Sequence, residues 1–144
     1  MLPVFSPDDR WITYLSNDSG TLEVYVRPYP GPGGKWRIST ASGLMPRWTR
    51  GGREIVYLEG ATSSRLMAVD ISVDGNELKP GAPAVLFDAP IARPYPATWY
   101  DASADGTRFV ILKALANMPP QGFTHVTLAL NFFDEVRRAT AAKR

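Results

Sequence analysis

The sequence contains no cysteine and a single histidine, His125. The first absence excludes disulfides and thiolate metal sites. The second leaves a histidine-based metal centre or a catalytic triad without partners, so neither a metal nor a cofactor is expected. No stretch approaches the roughly 18 consecutive apolar residues that a membrane span requires, and no membrane insertion is expected. The opening MLPVFSPDDRW lacks both a basic n-region and a long apolar h-region, so it does not read as a signal peptide. Any export signal or anchor would lie outside this chain. Charge of one sign is also scarce. Sixteen Lys and Arg stand against 14 Asp and Glu, a net charge of +2. The sequence pI near 9.0 therefore reflects a thin basic excess and not the basic face that nucleic-acid binding uses.

What the chain does have is punctuation. Thirteen Pro and 12 Gly occur among 144 residues, more than is usual, and they separate short apolar runs rich in β-branched and aromatic residues. These runs predict strands near 2–5, 10–16, 21–28, 35–39, 44–48, 53–59, 65–73, 83–87, 97–102, 107–113 and 123–131. Only the end, with Phe132, Phe133 and Val136 at helical spacing, predicts a short helical tail over 132–144.

The runs repeat. Phe5-Ser6-Pro7-Asp8-Asp9-Arg10-Trp11-Ile12-Thr13-Tyr14-Leu15 overlays Trp48-Thr49-Arg50-Gly51-Gly52-Arg53-Glu54-Ile55-Val56-Tyr57-Leu58 at an offset of 43. A third copy, Ser103–Leu112, follows at a longer spacing and is expected to carry one extra residue in its turn. Four short strands per unit of about 40–45 residues is the period of a β-propeller blade. The second strands of the units (Trp11–Leu15, Ile55–Leu58, Phe109–Leu112) are almost unbroken apolar runs. Such runs suit a sheet covered on both faces. The expected fold is therefore all-β, a partial β-propeller of about three four-stranded antiparallel blades. The blades would span 2–43, 44–96 and 97–131 of a single domain, followed by the tail. Closed propellers need at least four blades. The chain is accordingly expected to be part of a longer propeller, or to self-associate through exposed edge blades.

The residues F-S-P-D-D-R-W-I-T-Y, then L-E-V-Y-V-R-P-Y-P and W-R-I-S, resemble the TolB-type, WD-like, six-bladed propeller repeat. Y-D-A-S-A-D-G-T-R-F-V-I-L and the ending T-L-A-L-N-F-F-D-E-V-R-R resemble the last blade of such propellers, most of all those attached to bacterial serine/threonine protein kinases. The resemblance implies a non-catalytic binding or sensing module that takes a protein or peptide ligand at the channel rim. It also implies an extracytoplasmic location. Two departures from the pattern stand out: Thr49-Arg50-Gly51-Gly52 replaces Ser-Pro-Asp-Gly, and Asp9 stands where Gly is usual. None of the kinase motifs is present. The alternative is a piece of the gating propeller of a prolyl-oligopeptidase-type serine peptidase; a third is a gene fragment with no independent role.

Other candidates resolve into structural roles. No G-x-S-x-G elbow occurs, and Gly31-Pro32-Gly33-Gly34 reads as a hairpin loop rather than a phosphate cradle. Asp70, Asp74 and Glu77 lack the spacing of a calcium loop. The remaining candidates, Arg47, Trp99 and Asp101, fall on or beside the innermost strands of the second and third units. Aromatic and Arg residues at a rim are typical ligand anchors. Their neighbours Trp48 and Tyr100 align with core positions.

Overall fold

A computed structural model describes residues 3–60, 65–88, 99–112 and 127–129. The predicted helical tail and His125 lie outside the described residues. Those described form β1 (Val4–Phe5), β2 (Trp11–Ser16), β3 (Glu23–Pro28), β4 (Trp36–Arg37), β5 (Gly43–Thr49), β6 (Glu54–Glu59), β7 (Arg65–Asp74), β8 (Glu77–Pro80), β9 (Ala84–Asp88), β10 (Tyr100–Ala102), β11 (Phe109–Ile111) and β12 (Thr127–Ala129). All pairings are antiparallel. The fold is all-β, as the run-and-turn pattern predicts. The chain divides into two compact units, Met1–Ala89 and Pro90–Arg144.

The first unit holds two sheets. One is a four-stranded meander in the order β1-β2-β3-β4. The other begins β5-β6-β7, and β7 is long enough for two partners. β9 pairs with its first half and β8 with its second. β8 had no place among the predicted strands, because Glu77-Leu78-Lys79-Pro80 is short and polar. It forms because Gly75 (φ 61) opens a two-residue hairpin turn that folds the chain straight back along β7. In β5 the register shifts between Leu44 and Arg47, where Met45 and Pro46 form a bulge. Proline, which has no N–H to give a ladder, is tolerated at such a place.

The 43-residue overlay is a register relation. Phe5 pairs with Ile12 as Trp48 pairs with Ile55, and Val4 pairs with Thr13 as Arg47 pairs with Val56. The two sheets meet through a shared core. Trp11, Leu15, Val24, Val26 and Ile38 of the first join Trp48, Ile55, Tyr57, Met67 and Val69 of the second. Strand alternation sends every second side chain there. Each fully buried Leu, Ile or Val adds roughly 1.5–3 kcal/mol. In the second sheet the opposite face is buried as well: Val56, Leu58 and Leu66 are all at 0% exposure. In the first sheet it is buried at one end only, where Ser16, Glu23 and Tyr25 are at 4%, 2% and 6%. Ile12 and Tyr14 are half-buried, and Phe5 is 48% exposed. The unbroken apolar run in β2 thus differs in surroundings from the matching run in β6.

The second unit contains the three-stranded sheet β10-β11-β12. Its Ser103 turn corrects one expectation: there is no extra residue. Ser6 N–H donates to Trp11 O at 2.9 Å, and Ser103 N–H donates to Arg108 O at the same 2.9 Å. The third copy therefore overlays the first without a gap, 97 positions on, and Gly106 (φ 73) takes the left-handed place of Asp9 (φ 56).

Candidate functional site

The turn between β1 and β2 is locked by short-range hydrogen bonds. Ser6 Oγ donates to Asp8 Oδ1 (2.6 Å) and accepts from Trp11 N–H (3.0 Å), and Asp8 also accepts from Arg10 N–H (3.2 Å). The Ser6 hydroxyl is the main cause that holds the Asp8 carboxyl below its usual range. A turn fixed in this way delivers Arg10 and Trp11 in a defined orientation at the start of β2.

β3 ends at the same end of the sheet, where Pro28-Tyr29-Pro30-Gly31-Pro32-Gly33-Gly34 leads to β4. This loop folds tightly on itself. A Cβ at Gly33 would come within 2.2 Å of Pro28 Cγ, so only glycine fits there. The hairpin tip of β7–β8 arrives from the other sheet. Arg10 Nη2 donates to Gly75 O (2.9 Å) and to Asn76 Oδ1 (3.3 Å), which ties the tip to the turn.

Between these three segments lies a pocket of about 200 Å³, lined by Arg10, Trp11, Tyr29, Asn76 and the prolines 28, 30 and 32 with Gly33. Its size suits one or two side chains rather than a drug-sized molecule. Its walls are rigid rings. Trp36 braces Trp11 edge-to-face at 5.6 Å, and Phe5 braces Tyr29 at 5.0 Å. The Trp11 ring is 3% exposed, and its indole N–H has no acceptor among the described residues. A buried indole donor normally finds a partner, and this one is enclosed with Trp11 in the core. The arrangement can hold an apolar ring. Among the described residues no group of three or more His, Cys, Asp or Glu could hold a metal.

The residues singled out from the sequence lie elsewhere. Arg47, on β5, is half-buried and its Nη1 donates to Pro46 O at 2.9 Å. Trp99 and Asp101 belong to the second unit. Trp99 is half-buried and its carbonyl accepts from Leu112 N–H (3.0 Å). Asp101 is exposed on β10, and its carboxylate accepts from Ala102 N–H (2.9 Å). None of the three lines the pocket. Trp48 and Tyr100 are buried, at 8% and 2% exposure. Asp70 and Asp74 pair with Arg50 (3.3 Å) and Lys79 (3.0 Å), as structural carboxylates do.

Sequence reasoning missed Trp11 and Tyr29 because each also fits a bland role, one in a strand and one in a loop. The available signal was the density of rings in P-Y-P-G-P beside a strand that opens with Trp. No family model matches the chain, and no curated protein matches it.

Proposed function

We propose that the chain is a non-catalytic binding module built from propeller-type repeats, and that it takes a short extended peptide in the Trp11 pocket. The observation that carries the reading is the pocket of about 200 Å³ walled by Trp11, Tyr29 and three prolines. An extended peptide can supply a compact ring for those walls. Proline-containing segments suit best, because they are already extended and lose little freedom on docking. The repeat register, the shared core of the consecutive four- and five-stranded sheets and the burial of the second sheet on both faces support the propeller-type architecture. Arg47, Trp99 and Asp101 remain rim contacts within this proposal. Association with an upstream serine/threonine kinase belongs to it as well, on the strength of the repeat resemblance.

The test is a nitrogen-15 NMR titration with a blocked hexaproline peptide. The indole resonance that Trp11→Phe removes should shift on titration, and the Phe variant should lose binding while keeping its melting temperature. A titration that leaves that resonance unmoved, or one that moves only the other indoles, rejects the pocket as the site.

A further inference from the structure

Of the residues that line the Trp11 pocket, Arg10 alone is charged. Its two side-chain hydrogen bonds leave from one nitrogen, Nη2, and both end on neutral oxygens: Gly75 O at 2.9 Å and Asn76 Oδ1 at 3.3 Å. A guanidinium carries five N–H groups. The three on Nε and Nη1 have no acceptor among the described residues. Arg10 makes no ion pair among those residues either, whereas Lys35, Arg50, Arg65 and Lys79 all do. Asp8 and Asp9 precede it in the turn, yet neither lines the pocket. The Asp8 carboxylate is engaged by Ser6 Oγ and by the Arg10 backbone N–H.

Bonds to neutral oxygens hold the guanidinium in place and leave its charge uncompensated. A charged donor fixed in this way is pre-organised for an anion. Asn76 adds to the same character. Its oxygen already accepts from Arg10, and its amide nitrogen brings two more donors. Both side chains are exposed. The polar edge of the pocket is therefore positive and rich in donors, beside walls of proline and aromatic rings.

We propose that the pocket selects an acidic proline peptide, in which a proline ring enters the pocket and the side-chain carboxylate of a neighbouring Glu or Asp pairs with Arg10. This inference rests on the peptide reading above and assigns Arg10 as its specificity-determining residue. Arg10 and Trp11 are adjacent on the chain and line one pocket. An extended peptide advances about 3.3 Å per residue, so the acid stands one or two residues from the docked ring. The acid is a side chain and not a chain end. Capture of a terminal carboxylate uses a row of backbone N–H groups, and Pro28, Pro30 and Pro32 remove three of them from this loop.

Nitrogen-15 NMR titrations of the whole chain test it, with blocked hexaproline and with blocked hexapeptides in which Glu or Gln replaces the third proline. The Glu peptide should bind about tenfold more tightly than the Gln peptide at low salt. The gain should shrink as salt is raised to about 0.5 M. Arg10→Gln, which keeps an amide donor without the charge, should erase the gain and leave hexaproline binding within about twofold; Arg10→Lys should keep most of it. Equal binding of the Glu and Gln peptides overturns the proposal, and so does a Glu preference that survives Arg10→Gln. Unblocked hexaproline should gain nothing over the blocked form; a tenfold gain there, with none for Glu, means that a chain end is captured and also overturns it. The wild-type contrast and its salt dependence decide the matter even where Arg10→Gln does not fold. If hexaproline binds and Glu adds nothing, only this inference falls. If no peptide binds, the pocket reading falls with it.

Discussion

The two sheets of the first unit share a register and differ in surroundings. At matching positions the first sheet has Phe5, Ile12 and Tyr14, and the second has Trp48, Ile55 and Tyr57. The second set is in the core, with Ile55 at 0% and Tyr57 at 1% exposure; in the first set Ile12 and Tyr14 are half-buried and Phe5 is 48% exposed. Equal patterns therefore carry unequal energies. A strand's sequence says that a face can be buried, and its neighbour decides whether it is.

The sharpest way to break this comparison is a paired truncation. Tyr57→Ala should cost about 3–5 kcal/mol of unfolding free energy, and Trp48→Ala a similar amount. Tyr14→Ala, at the matching position, should cost about 1 kcal/mol, part of it from its stack on Tyr25 at 6.0 Å. Denaturant melts check both; equal losses would mean the two sets are equally covered. Next comes Ser6→Ala, which removes the acceptor of Trp11 N–H and should cost about 1–2 kcal/mol. The matching Thr49→Ala acts differently. Thr49 Oγ1 donates to Glu54 Oε1 at 2.6 Å, so its loss strips a partner from a buried carboxylate. An unchanged melt for Thr49→Ala would show that Arg50, at 3.5 Å from Glu54, suffices alone.

A pH series separates the sheets by a third route. Burial, with help from Glu59 and Glu23, pushes the Tyr57 hydroxyl up to about 12 from its usual 10.0. The folded state then holds a proton that the unfolded chain gives up. Stability is complete below pH 10 and falls as pH rises through 12. Tyr57→Phe should remove that alkaline loss. The smallest expected effect is Phe5→Ala, about 1 kcal/mol or less, since its side chain is 48% exposed and packs edge-to-face on the Tyr29 ring.

Much of the fold was legible. Turn residues with a physical reason to be there marked the strand ends: Asp9 and Gly106 in left-handed backbone, Gly75 at a hairpin tip. β3 shows the limit of such local signals: Val24 and Val26 are in the core, and Glu23 and Tyr25 on the other face are buried too, at 2% and 6%. The candidate site was not legible. Its walls come from Pro28–Gly33, from Arg10 and Trp11, and from Asn76, and the last is 66 positions from Arg10. No local pattern encodes that meeting.

The sequence by itself determined where the strands run, how the hairpins register and which two faces each strand can offer. Those follow from backbone sterics and the two-residue period of a strand, which act over a few residues. Only the tertiary structure decided which face is covered and where the indole of Trp11 is left without an acceptor. Both depend on which distant segments displace water from a given surface, and that is a property of the assembled sheets.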